Sequence, residues 1–133
     1  DLLEWIQYNG EKYKSALLNY GAIAFRKIGI KLFLAASSKK KLTTIYAAHG
    51  AFCVVSNAAL KKMGSLFSED MFLFFEEAWL ANKAYSNGVK VYYIPQIVID
   101  HKEDGSMKIA DVNICAESRK SVMYYYEHKK VQN

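Results

Sequence analysis

The stretch Phe72-Leu73-Phe74-Phe75-Glu76-Glu77-Ala78-Trp79-Leu80 sets an apolar, aromatic run ahead of two adjacent carboxylates, with helix-forming residues behind them. Burying either charge beside the rings is costly unless it is paired or has a chemical task. A helix that starts at Glu76 eases the conflict, because both carboxylates then lie in its first turn, where the positive end of the dipole favours negative charge. An acidic first turn with no further role is the plainest reading of this stretch by itself. The helix is expected to run to Ser86, with Trp79 and Tyr85 among its bulky positions and Asn87-Gly88 as its stop.

Upstream, Thr43-Thr44-Ile45-Tyr46 is β-branched and aromatic, and the run Ala51 to Ser56 suits a short buried strand. It is preceded by His49-Gly50, where the glycine lets a backbone or a ligand approach closely. Ser56 or Asn57 can cap a short helix over Ala58–Met63, which Gly64 ends. Downstream, Val89–Ile94 and Ile97–Ile99 read as strands separated by Pro95, and His101 closes the second. Lys102–Ser106 is a polar loop, and Ala110 to Lys130 has helical character. At the other end, residues 1–20 read as a helix with a break near Asn9-Gly10, followed by a second helix from Ala22 to Ala36. On a helical wheel Ala22, Phe25, Ile28, Leu32 and Phe33 share an arc, with Arg26, Lys27 and Lys31 opposite. These elements predict an α/β domain with the strands near Ala51–Ser56, Val89–Ile94 and Ile97–His101 in one mixed sheet.

The order of these landmarks resembles the C-terminal, acceptor-side half of family 2 glycosyltransferases of the GT-A fold, especially the rhamnosyltransferase-like bacterial enzymes. Their pattern runs through a Gly-Ala step, an apolar strand, a Gly-Phe-Asp-Glu loop, an aromatic run ending in Tyr-Gly-Glu-Asp, and a stretch that closes Pro…His. Here the corresponding residues are Gly50-Ala51, Leu66 to Asp70, Phe72 to Glu77, and Pro95 to His101, with Ser68 in place of the loop's first aspartate. The likeness covers about Ala48 to His101 and continues weakly through Arg119-Lys120-Ser121 and Tyr124 to His128. It implies a helical, basic connection over 1–45, a catalytic core over 46–108 and a C-terminal helix over 109–133. The nucleotide-binding half, with its Asp-X-Asp, is not in this sequence. The chain is therefore expected to be inactive by itself, and the missing initiator methionine fits a fragment.

The resemblance implies transfer of a sugar from a nucleotide-sugar donor to a glycan or lipid-linked acceptor in bacterial surface polysaccharide synthesis. Inverting transfer needs a base that takes the acceptor's hydroxyl proton as that oxygen attacks the anomeric carbon, and a positioned carboxylate suffices. The position matching the family's base is Glu77, a glutamate where aspartate is usual, and Glu76 matches the supporting acid. Gly50 and Ala51 correspond to residues that border the sugars, and His49 stands one position before them. Trp79 is a candidate stacking platform for a sugar face, with a core position as its alternative. The leaving diphosphate calls for a divalent metal, Mg or Mn, and His101 matches a histidine that binds it or contacts the diphosphate.

Composition bounds the remaining classes. With 133 residues, 52% of them apolar, the chain suits one globular domain with a modest core. Two cysteines, Cys53 and Cys115, form no metal-type pair, and a reduced, cytoplasmic setting is the expectation. No apolar run is long enough for a transmembrane helix, and no signal peptide is recognisable. The net charge of +5 lies entirely in residues 1–45, which hold eight Lys/Arg against three Asp/Glu, while 46–133 hold ten against ten. The basic amphipathic segment over Ala22–Lys41 reads first as ordinary core packing with a solvated basic face, and it also raises a peripheral contact with the inner face of the cell membrane, near a lipid-linked acceptor. The rival from another class is a non-catalytic module that docks on an anionic membrane or a protein partner. Nucleic acid is not expected as a partner, because the basic residues cluster without interleaved aromatic side chains.

Overall fold

The computed structural model describes residues 2–36, 41–101 and 113–129, and the chain divides into two compact units, residues 1–41 and 42–133. The first is a helical hairpin. Helix α1 spans Leu2–Lys12 and α2 spans Ala16–Ala36. The turn between them closes with Ser15 N–H donating to the Gly10 carbonyl (2.9 Å), while Lys14 takes a left-handed φ of 51°. Ser15 Oγ accepts from Leu18 N–H (3.4 Å), a capping contact at the head of α2.

The break expected near Asn9-Gly10 is thus displaced to Tyr13–Ser15, and the second helix begins at Ala16 instead of Ala22. Gly10 stays helical for a packing reason. A Cβ there would lie 2.1 Å from Asn19 Oδ1, so its missing side chain lets α2 come close. Ala22 is buried in the hairpin, whereas Phe25, Ile28 and Leu32 are exposed, so the expected common arc is split between two faces.

The second unit is mixed α/β. It contains β1 (Thr43–Ile45), α3 (Asn57–Met63), α4 (Glu76–Ser86), β2 (Val91–Tyr93) and α5 (Ile114–His128). The strands pair antiparallel with Thr43 opposite Tyr93, Thr44 opposite Tyr92 and Ile45 opposite Val91. Ser56 Oγ accepts from Ala59 N–H (3.2 Å) and caps α3, and Gly64, at φ 69°, ends it with its N–H on the Leu60 carbonyl. Helix α4 has its expected bounds and runs into Asn87-Gly88, where Gly88 takes φ 60°. Asn113 Oδ1 accepts from Ala116 N–H (3.1 Å) and opens α5; the expected start at Ala110 lies outside the described residues.

The expected three-stranded mixed sheet is corrected on two counts. Among the described residues the sheet has two strands and is antiparallel, and neither Ala51–Ser56 nor Ile97–His101 forms a strand. Phe52 N–H turns back to the His49 carbonyl, and Ile97 N–H to the Ile94 carbonyl (3.2 Å) beside Pro95. The β character of both runs is real, but strand formation needs a neighbour to take the ladder hydrogen bonds. Val54 and Val98 are more than four-fifths exposed, so no such neighbour covers them.

The core lies between α4 and α5. Met71, Trp79 and Tyr125 form its centre, with Phe75, Ala78, Tyr124 and Tyr126 packed around them. Ala81 and Ala84 on α4, and Ser121 and Val122 on α5, are buried as well. Each helix thus contributes both an aromatic anchor, Trp79 or Tyr125, and small buried residues.

Candidate active site around Glu77 and Gly50

The acidic pair is delivered by an unusual turn. Phe74 and Phe75 both take left-handed backbone conformations, at φ 65° and 68°, immediately before Glu76 begins α4. For a bulky residue that geometry costs about 1–2 kcal/mol each, so the surroundings must hold it. They do so from α5. The Phe75 ring packs against Tyr125 (5.5 Å between centroids) and Tyr126 (6.0 Å). Ser121, buried to 2% exposure, donates its hydroxyl to the Leu73 carbonyl at 2.7 Å.

Phe75 is the N-cap of α4 and makes no side-chain capping bond, so the helix's first N–H groups rely on other partners. Glu76 and Glu77 occupy the first turn, both half-buried. Glu77 reaches across to the other landmark of the sequence: its Oε1 accepts a hydrogen bond from Gly50 N–H at 3.1 Å, a link spanning 27 positions. A Cβ on Gly50 would sit 2.6 Å from that oxygen and 3.0 Å from its carboxyl carbon. Glycine is what lets the carboxylate come this close to the backbone. The second carboxylate oxygen of Glu77 makes no hydrogen bond among the described residues.

The segment carrying Gly50 is a turn whose shape comes from His49. Its carbonyl accepts from Phe52 N–H, and its Nδ1 accepts from Ala51 N–H at 3.2 Å. An Nδ1 that accepts leaves the proton of the neutral ring on Nε2, so the ring keeps one outward donor. Glu77, Gly50, Ala51 and His49 thus form one connected group. The neighbouring loop is tied to α5, where Ser68 donates its hydroxyl to Tyr124 Oη at 3.1 Å, and the Tyr124 ring stacks on His128 at 4.2 Å.

Two other candidates lie elsewhere. Trp79 belongs to the core at 8% exposure, its ring against Tyr124 (5.6 Å) and its Nε1 buried without a hydrogen-bond partner. His101 is exposed. Among the described residues no three His, Cys, Asp or Glu side chains converge on a point where a cation could sit. These residues alone do not make a metal site. Cys53 and Cys115 are exposed free thiols. A hollow lined by Gln7, Glu11, Asn19, Ala22, Ile23 and Arg26 belongs to the helical hairpin and contains none of the candidate residues.

Ser121 and the Phe74–Phe75 turn were not legible as part of the site. Ser121 stands in the sequence only as part of the tail run Arg119-Lys120-Ser121, a small polar residue beside the buried Val122 of α5. Nothing in the run of aromatics announces a left-handed backbone, because bulky residues disfavour it. Comparison with protein-family models, curated proteins and solved structures gives no match for this chain.

Proposed function

We propose that residues 42–133 form the acceptor-side part of an inverting glycosyltransferase of the GT-A type, with Glu77 as its general base. The observation that carries this reading is the bond from Gly50 N–H to Glu77 Oε1. The resemblance pairs the Gly-Ala step with the acidic pair as neighbours in one site, and the fold brings them into contact from distant parts of the chain. The backbone adds a second support. The resembled pattern has glycine just before its acidic pair, and Phe75, in that position, holds the left-handed conformation that glycine adopts most readily.

The chemistry follows from the residues present. Gly50 N–H holds one oxygen of Glu77 and so fixes the carboxylate's direction, leaving the other oxygen able to accept a proton. The acceptor's O–H proton passes to that oxygen as the hydroxyl oxygen forms its bond to the anomeric carbon. The bond from that carbon to the diphosphate breaks, and its electron pair leaves with the phosphate. Glutamate's extra methylene relative to aspartate is taken up by the approach to Gly50, where there is no side chain to displace it. His49, oriented by Ala51 N–H, offers its Nε2–H as a donor for an acceptor hydroxyl.

The reading is tested on the complete enzyme, with this chain joined to its nucleotide-binding half. Nucleoside diphosphate release is measured over a panel of sugar nucleotides, with and without glycan or lipid-linked acceptors. Acceptor-dependent release from one donor is the expected result. Silence across the whole panel, from a folded protein, would remove the proposal.

A further inference from the structure

We propose that the outward face of α2 docks on an anionic lipid surface. At the helical repeat of about 100° per residue, Leu17, Gly21, Ala24, Phe25, Ile28 and Leu32 fall within one arc of about 100°. The large members of that arc are all more than half exposed, Leu17 at 83% and Leu32 at 66%. Asn19, which meets Gly10 of α1, lies on the opposite side of α2, and the buried Ala22 lies between it and the arc. The apolar face therefore points away from α1 and meets no partner among the described residues.

Charge identifies what covers it. Lys27 and Lys31, one turn apart, border the apolar arc together with Tyr20, and both lysines are exposed. Neither makes an ion pair among the described residues. Helix α2 contains no acidic residue, and residues 1–41 carry the whole of the chain's +5. An apolar stripe with a basic border and an aromatic at the boundary is complementary to a bilayer interface rich in anionic headgroups. A protein partner would need an acidic rim around an apolar groove, and the second unit, with ten charges against ten, gives a second copy no net acidic surplus to supply one. No helix among the described residues is long and apolar enough to cross a membrane, and the contact proposed is one of lying on the surface.

This inference does not rest on sugar transfer, and its test reads no activity. The whole chain is sedimented with phosphatidylcholine vesicles, with and without phosphatidylglycerol, at low and physiological salt. Recovery with the anionic vesicles, falling as salt rises, is expected. The pair Lys27→Gln and Lys31→Gln should weaken that partition by roughly thirtyfold, since each basic residue near such a surface contributes about fivefold. The pair Ile28→Gln and Leu32→Gln, both on exposed positions, should abolish recovery while leaving the helix content seen by circular dichroism unchanged. Equal recovery with neutral and anionic vesicles, or no recovery with either, would overturn the proposal. So would self-association in solution that disappears in the apolar variant without any vesicle binding, which would assign the face to a second copy.

Discussion

Gly50 and Glu77 give the sharpest residue-scale test, because one atom separates a fitted site from a displaced one. In Gly50→Ala the new Cβ would meet Glu77 Oε1 at 2.6 Å, so the carboxylate must swing away. Its side chain is flexible and the bond it loses is solvent-exposed, so the stability cost is small, about 1 kcal/mol or less. The rate cost is not small, since misplacing a catalytic group by about an ångström can lose roughly 10²-fold. The expected outcome is a nearly unchanged melting temperature with a strongly reduced transfer rate in the complete enzyme. Equal falls in both would make Gly50 a folding residue only. That both residues, with His49, belong to an ordered set of landmarks was legible in the sequence. Their contact was not, since no local spacing encodes a bond across 27 positions. Trp79 shows the opposite limit: a large aromatic two positions from the proposed base suits a sugar platform and a core anchor equally well on sequence grounds. Its burial predicts that Trp79→Ala destabilises the second unit by about 3–5 kcal/mol, read from the denaturant midpoint.

Among the elements, the α4–α5 pair determines how the acidic residues are presented. The strained Phe74–Phe75 turn is clamped by the Ser121 hydroxyl on the Leu73 carbonyl and by the Phe75 ring between Tyr125 and Tyr126. Ser121→Ala removes that hydrogen bond with almost no change of volume and should cost about 1–2 kcal/mol in urea unfolding. Phe74→Gly relieves strain and Phe75→Gly relieves as much, but only Phe75 contributes a ring to the core cluster. The second exchange should therefore be the more destabilising by at least about 1 kcal/mol, and the reverse order would show that the Phe75 ring does not anchor the turn. Helix α4 was readable to its ends because apolar spacing, an acidic first turn and Asn87-Gly88 all agree. The runs Ala51–Ser56 and Ile97–His101 were misread because β-branched residues report a preference for a pleated, half-covered surface, and here no strand lies beside them. In the hairpin, Gly10 was taken for a breaker although helix packing requires it, and Ser15 supplied the real cap.

For the whole molecule, the most informative feature is the apolar surface left uncovered on both units. Phe52, Val54, Ile97 and Val98 are exposed in the second unit, as are Leu17, Ile28 and Leu32 in the first. Patches of this kind mark contact surfaces in soluble proteins. The native chain should therefore enhance the fluorescence of an apolar dye such as ANS without denaturant, and a silent dye would show that these surfaces are closed in solution. The mixed α/β class was legible from the alternation of β-branched runs with helical spacing. The sheet's small size was not, because its extent depends on what pairs with it and not on residue preference. The central claim, that Glu77 is the base of a sugar-transfer site, is tested most directly by Glu77→Gln in the complete enzyme. The exchange keeps size and the oxygen that meets Gly50 N–H, and removes the proton acceptor. Turnover should fall by roughly 10² to 10⁴ with donor affinity unchanged. Near-normal turnover would contradict the account and leave the acidic pair as nothing more than the start of a helix.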